Sequence, residues 1–308
     1  MTSCLGRRAA GAAGGLLLDR IVGEPPALVH PVAHFGWAMT RLEGQMWSDS
    51  RMAGAAYATA GACVGVWAGW IVRSTAAALS LAVAGRELRR VAAQVADQCQ
   101  AADLEAARRA LPALVGRDPS ELDAAGIAAA VIESLAENSV DAVLAPVFWA
   151  VVAGAPGAAG YRAVNTMDAM VGHRSFRYER FGWAAARLDD AANYLPARLF
   201  AAAVALTHPR HGRAVWTAVR RDASAHPSPN AGVAEAAVAA ALGLQLGGPV
   251  RYGDRVEDRP RLDCGPRPQP SDITRAIRLV DRVELAVLVT LVAVGVAAWV
   301  RSALWDRS

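Results

Sequence analysis

Lysine is missing from this chain: all 32 basic residues among its 308 are arginine. A phosphate loop of the G-x-x-x-x-G-K-[ST] type needs that lysine, and Schiff-base or pyridoxal chemistry needs a lysine amine, so both are excluded. A nucleotide, if one is used, has its phosphates held another way. Cysteine is scarce as well. Cys4, Cys63, Cys99 and Cys264 lie far apart with no C-x-x-C pair, which gives neither a zinc site nor a disulfide frame. Charged residues make up only 19% of the chain, and the net charge of +4 comes from arginines dispersed among acids, which argues against a nucleic-acid partner. Strand-like alternation is scarce, and no repeat of solenoid length is present.

Apolar residues make up 54% of the chain, and their arrangement is more informative than their number. Residues 53–72 hold no charge between Arg51 and Arg73, and about 20 such residues are what a helix needs to cross a bilayer. Residues 285–300 form a second run, preceded by Asp281, Arg282 and Glu284 and closed by Arg301. Both read as transmembrane helices; a buried core helix suits them less, because core helices seldom stay apolar on every face. Further apolar segments lie near 9–18, 74–85, 142–161, 195–207 and 233–248. Arg7 and Arg8 resemble a signal-peptide start, yet Asp19, Arg20 and a Gly-Glu-Pro-Pro turn stand where a cleavage site is needed, so the N-terminus reads as retained. Residues 85–111 read as a solvated helical segment broken by Pro112 and Asp118-Pro119, with a new helix opening at Ser120. Residues 251–271, rich in Arg, Asp and Pro, read as an exposed loop that ends where Ser271 and Asp272 cap a last helix. The expected fold is all-α: a single membrane-embedded domain over 1–308, forming a multi-pass integral membrane helical bundle with cytoplasmic polar helices and loops.

Three polar stretches abut apolar ones. In the first, Glu133, Glu137 and Asp141 recur at i, i+4 and i+8 with Asn138 beside them, one acidic stripe on a helix. Like charges at that spacing repel, so a stripe entering an apolar run is costly unless a cation or positive ligand sits there. Mg²⁺, which takes a few carboxylates plus substrate phosphate oxygens, is one reading, and a plain solvated helix face is the other. In the second, Asn165 and Asp168 share a face ahead of Gly172, Asp189 and Asn193 are a turn apart, and Arg187, Asp190, Tyr194 and Arg198 share a neighbouring face. A salt-bridged surface helix accounts for those arginines, but the helix leads into an apolar run, where a guanidinium fork suits a phosphate. In the third, Ser228 as N-cap with Pro229 at the first helical position makes a strong helix start whose N–H groups attract anions. Capping does not explain why His226, Asn230 and Glu235 gather at the same end. His30, His34, His208 and His211 show no metal-ligand spacing.

These stretches, together with Leu18-Asp19-Arg20-Ile21-Val22-Gly23-Glu24-Pro25-Pro26, His30-Pro31-Val32, Gly247-Gly248-Pro249 and Tyr252-Gly253, closely resemble the adenosylcobinamide-phosphate synthase family of cobalamin biosynthesis, known as CobD or CbiB. The resemblance extends from about Leu16 to Gly253. Glu24 stands where the family usually has Asp, and His173 where Tyr is common. The resemblance implies a multi-pass enzyme of the bacterial inner membrane with a cytoplasmic active site. It implies ATP-dependent condensation of the f-side-chain carboxylate of adenosylcobyric acid with (R)-1-aminopropan-2-ol phosphate, giving adenosylcobinamide phosphate. The implied partners are that corrinoid, the aminopropanol phosphate and the lipid bilayer, with no nucleic acid; a homo-oligomer stays open. Roles of single residues then follow from chemistry. A carboxylate and an amine do not condense in water without activation, for which ATP with Mg²⁺ is expected, on Glu133, Glu137, Asp141 and Asp168. Arg187, Arg198, Asn165, Asn193, Ser228 and Asn230 are the expected substrate and phosphate contacts. Asp190, His226 or Glu235 is expected to take the ammonium proton, since only the free amine is a nucleophile. The competing function is a non-catalytic AmpE-like membrane sensor or scaffold, which has little use for so many acids and arginines beside apolar segments.

Residues 142–161 pose a topological problem. A single crossing puts Asp141 and the Asn165/Asp168 pair on opposite sides of the membrane, where one site cannot use both. Arginines are abundant over both 73–117 and 162–198 rather than on one flank. Pro146 and the turn-like Gly154-Ala155-Pro156-Gly157 leave only 142–153 as uninterrupted helix, which is too short to span. The expectation is a re-entrant hairpin or a pair of buried half-helices that returns both motifs to the cytoplasmic side.

Overall fold

The computed structural model describes residues 4–173, 175–252 and 255–305. In chain order its α-helices are α1 (Cys4–Ile21), α2 (Pro31–Met46), α3 (Arg51–Val72), α4 (Thr75–Ser80), α5 (Gly85–Gln100), α6 (Leu104–Ala110), α7 (Ala124–Ser139), α8 (Ala145–Met167), α9 (Trp183–Thr207), α10 (Gly212–Asp222), α11 (Ala231–Leu242) and α12 (Pro270–Trp305). Antiparallel strands β1 (Leu246–Tyr252) and β2 (Arg255–Leu262) precede α12. The segment read as a loop over 251–271 is therefore partly a β-hairpin. Its base is pinned by the buried pair Leu246 and Leu262, and a bulge follows at Gly247 and Gly248, both at positive φ. α7 opens later than Ser120: Asp123 is its cap, accepting the Gly126 N–H at 2.7 Å. α12 opens earlier than read, at Pro270, so Ser271 lies inside it, and Asp272 in its first turn accepts the N–H of Gln269 just ahead of the helix at 2.8 Å.

Where the sequence reads as a single domain, the structure divides into two compact units. The first comprises Met1–Ala84, Asp141–Asn193 and Leu288–Ser308, the second Gly85–Val140 and Tyr194–Val287. The first unit is built round a reversal inside α8. Gly154 there has φ 69° and ψ −148°, outside helical space and accessible at low cost only without a Cβ. The Tyr161 hydroxyl consequently lies 3.2 Å from the Asp141 carbonyl oxygen, whereas twenty residues of straight helix would separate the two by about 30 Å. The hairpin read from the Gly154 turn is thus present, but its first arm is longer than expected. α7, a π turn at Val140–Leu144 and the start of α8 make one helical run from Ala124, because the acidic stripe lies within the helix and does not interrupt it. α3 packs along the returning arm through Gly61, Gly65 and Gly69. A Cβ on Gly65 would sit 2.5 Å from that of Ala163, so the two backbones meet at a distance only glycine permits.

Helix prolines leave carbonyls without their usual donor four residues later. Pro146 has no N–H for Ala142, whose carbonyl accepts from the Ala84 N–H at 3.0 Å. Pro156 has none for Val152, at the hairpin tip, and the Arg8 guanidinium reaches that oxygen. Pro196 has none for Ala192, which the Trp149 indole N–H serves at 3.0 Å. Three breaks in the helical ladder are thereby closed by three different outside donors, α1, the α4–α5 connection and α8 itself.

Among the described residues three stretches are long and apolar enough to cross a membrane: Arg51–Val72, Ala124–Gly172 and Pro270–Leu304. α3, with 22 residues, is about 33 Å long against a hydrocarbon layer of roughly 30 Å. It turns Val64, Trp67, Trp70 and Ile71 outward, and α12 does the same with Val289, Val292, Val296 and Val300, a surface suited to lipid. Arg51 stacks over Trp183 and Arg73 over Trp70, 5.4 and 5.7 Å from the ring centroids, which puts a cation–aromatic pair at each end of α3, where headgroups lie. The chain is an all-α membrane protein with apolar helices at 53–72 and 285–300, as read. Not every apolar segment is a span. Residues 74–85 yield only the six-residue α4, and 233–248 falls mostly in α11, twelve residues about 18 Å long and buried at every position, a core helix.

The proline account predicts a coupling. Trp149→Phe removes the donor to Ala192 and should destabilise the protein by ~1–3 kcal/mol. In a Pro196→Ala background, where the helix supplies its own N–H, the same change should cost clearly less. Thermal unfolding of the four proteins in detergent measures the difference; equal costs in both backgrounds would show that the indole bond has no such role.

Candidate functional site

The second unit gathers titratable groups around α11, whose sequence is alanine-rich and carries Glu235 as its single charge. The helix begins at Ala231, after the expected Ser228, because Ser228 Oγ accepts the N–H groups of Asn230 and Ala231 at 3.3 and 3.2 Å from outside the first turn. The Gly232 and Val233 N–H groups are likewise met by the Ser228 and Asn230 carbonyls. The open N–H seat expected for an anion is therefore closed, and anion contact falls to side chains. Arg198 is placed for it. Its guanidinium stacks 3.4 Å from the Tyr194 ring centroid, with Nη1 3.3 Å from Asn230 Oδ1 and 2.7 Å from the Tyr194 carbonyl.

His226 Nδ1 lies 3.1 Å from the Ser228 N–H and 3.2 Å from the Ser228 carbonyl oxygen, and Nε2 points the other way. That nitrogen lies 3.7 Å from Glu235 Oε1. Gly232 makes the approach feasible, since a Cβ there would meet that of His226 at 2.5 Å. Both Glu235 oxygens are buried and make no hydrogen bond. Burial pushes the Glu235 carboxyl well above the ordinary carboxylate range; Glu133 and Glu137 push it further, and Arg259 and Arg117 pull it back. On α7, buried Glu133 pairs with Arg117 and accepts the Gly247 N–H at 2.9 Å. Repulsion along the acidic stripe is thus relieved by guanidinium groups. Arg117 and Arg259 escaped the sequence reading, and Gly247 entered it only within the Gly247-Gly248-Pro249 stretch, since all three reach the stripe through tertiary packing; the repulsive spacing itself was the available signal.

The first unit holds a separate polar network. Asp189 accepts from Asn165 Nδ2 at 3.2 Å and from Asn193 Nδ2 at 2.9 Å, and the Tyr161 hydroxyl donates to Asn193 Oδ1 at 2.8 Å. Tyr161 and Trp149 also line an apolar cavity of about 430 Å³ with Leu188 and Val66. Asp141 and Asp168 each sit in a π turn, a distortion that recurs at functional sites. Arg187 reaches Asp190 at 3.3 Å from an exposed position; burial raises the Asp190 carboxyl pKa while Arg187 opposes it.

Of the residues read as functional, Glu133, Glu137, Arg198, His226, Ser228, Asn230 and Glu235 belong to the second unit, and Asp141, Asn165, Asp168, Arg187, Asp190 and Asn193 to the first. The four expected metal ligands do not form one preassembled centre. Among the described residues no group of three or more His, Cys, Asp or Glu side chains is placed to hold a metal ion.

Fold and site together define a helical membrane protein that buries acids and a histidine around an apolar core helix. The family described as CobD/Cbib protein matches residues 12–280. Cobalamin biosynthesis protein CobD of Mycobacterium tuberculosis is 47% identical over 285 residues, 88% of this chain and 91% of that protein. Its namesakes in Rhodobacter capsulatus and Chromobacterium violaceum are each 44% identical, over 299 and 286 residues, covering 90% and 87% of this chain and 95% and 90% of theirs. No solved structure matches. The chain belongs to the CobD/CbiB family of cobalamin biosynthesis.

The Glu235 environment predicts a stability signature. Its folded pKa lies above the unfolded one, so the folded chain binds this proton more tightly, and that contribution is full below the unfolded pKa and lost as pH rises through the folded value. Glu235→Gln carries no charge to bury. Its unfolding midpoint should match the parent's in acid and exceed it in the neutral to alkaline range; a gap independent of pH would show that Glu235 is not held neutral by burial.

Proposed function

We propose that this chain joins (R)-1-aminopropan-2-ol phosphate to the f-side-chain carboxylate of adenosylcobyric acid in an ATP-dependent step at the cytoplasmic face of the bacterial inner membrane. One observation carries the reading: a phosphate-type arginine and a desolvated carboxyl stand at the same end of α11. Arg198 contacts Asn230 at the start of the helix, and Glu235 lies five residues on, about 7.5 Å along the axis. The aminopropanol phosphate is taken to bridge the two, with its phosphate on the guanidinium and its ammonium toward the carboxylate.

ATP supplies the activation that makes a propionate oxygen a leaving group. The chain's own residues do the rest. Arg198, fixed by Tyr194 and Asn230, orients the phosphate and hence the amine. As the ammonium docks, its charge favours the carboxylate and Glu235 gives up its own proton to solvent; the carboxylate then accepts the proton the ammonium releases, and its raised pKa brings it closer to that of the amine, which eases the transfer. The nitrogen then forms its bond to the activated carbonyl carbon as the leaving oxygen departs. In the tautomer that carries its proton on Nε2, His226 steadies the carboxylate form of Glu235. Mg²⁺ would arrive with the nucleotide, whose phosphate oxygens are ligands it prefers, and would neutralise their charge.

The test is product formation by the purified protein in lipid nanodiscs, supplied with ATP, Mg²⁺, the corrinoid acid and the aminopropanol phosphate and followed by mass spectrometry. Amide product is expected, and its absence from the parent protein would overturn the reading. Arg198→Lys keeps the charge but loses the fork, and should raise KM for aminopropanol phosphate roughly tenfold while KM for the corrinoid stays unchanged. Loss of protein yield with an unchanged KM would make Arg198 structural.

A further inference from the structure

α10 is two-faced. Val215 and Ala218 are buried, while Arg213, Trp216, Thr217 and Arg220 face outward at the i, i+3, i+4, i+7 spacing of a single helical side. Together with Arg221 they line an open groove of about 770 Å³. Arg221 is engaged by Asp222 at 2.6 Å and Asp263 at 3.3 Å. Arg213 and Arg220 make no ion pair among the described residues, and Arg210, just ahead of the helix, is exposed as well. The surface is therefore positively charged and uncompensated, with a half-exposed tryptophan at its centre.

The turn leading into α10 lies near the start of a membrane helix. His208 is held below the ordinary imidazole range, first by burial; a hydrogen bond to Val204 opposes this, and the charges of Arg282 and His211 add to the depression, so Arg282 is close by. Arg282 stands just ahead of the apolar run that begins at Leu285. We propose that the outer face of α10 binds the phosphate headgroups of anionic phospholipids, so that the helix lies on the membrane surface with Trp216 at the interface. Charge complementarity selects the occupant: arginines near an anionic leaflet each add about 1 kcal/mol of attraction, and tryptophan favours the interfacial layer. This surface is independent of the reading given for Glu235 and Arg198.

The full-length protein is placed in bilayers containing brominated phosphatidylglycerol or brominated phosphatidylcholine, and tryptophan emission is compared with that of Trp216→Phe, so that the difference isolates Trp216. Quenching of Trp216 should be stronger with the anionic lipid, and Arg213→Gln with Arg220→Gln should reduce that preference roughly fivefold per arginine. Equal quenching by the two lipids, or a preference that survives both substitutions, overturns the proposal. Loss of the preference on adding millimolar inorganic phosphate to the parent would assign the groove to a soluble phosphate ligand and overturn it likewise.

Discussion

A polar group cut off from water must find a partner within the protein or carry a cost of several kcal/mol, and an apolar bundle meets this demand many times over. Prolines make it acute here. Pro146, Pro156 and Pro196 each strip a carbonyl of its helical donor, and the Ala84 N–H, the Arg8 guanidinium and the Trp149 indole supply replacements. Those bonds tie α1, the end of the α4 region and α9 to the α8 hairpin at fixed points. Glycine completes the arrangement, with Gly154 turning the chain and Gly65 letting α3 lie against the returning arm.

Against that rule, Glu235 is an exception with chemical consequences. Its helix is buried on all sides, both carboxyl oxygens lack a hydrogen bond, and His226 Nε2 stands 3.7 Å from Oε1. A carboxyl in that setting favours its neutral form. The surrounding charges moderate the effect: Glu133 and Glu137 oppose ionisation, while Arg117 and Arg259 favour it. An arriving ammonium would shift the same balance toward the carboxylate, which is how a desolvated acid becomes a base when its substrate is present and stays neutral when it is not.

What was legible in the sequence was local. The run over 53–72 shows by length and freedom from charge that it can span, and Gly154-Ala155-Pro156-Gly157 announces a reversal through residues that cannot continue a helix. The one-turn spacing of Asp189 and Asn193 announced their contact, though not that Asn165 joins it from α8. Contacts made across long sequence separations were not legible. Leu246 and Leu262 close a β-hairpin in a segment whose Arg, Asp and Pro content reads as loop, and Arg259 on that hairpin acts on Glu137 and Glu235. The acidic stripe signalled correctly that positive charge must be near, yet local spacing does not distinguish a guanidinium from a metal. Ser228 shows the converse: its capping role was clear, but not that its hydroxyl would occupy the very N–H groups an anion would need.

The central claim is that Glu235 is a neutral, desolvated acid that an amine substrate converts to carboxylate. Infrared difference spectroscopy of the protein in lipid nanodiscs reads this directly, with the Glu235 band assigned by its loss in Glu235→Gln. The account predicts a protonated-carboxyl stretch that persists above the ordinary carboxylate range and disappears on addition of aminopropanol phosphate. A Glu235 already ionised in that range without the amine, or a protonated band indifferent to it, would contradict the account.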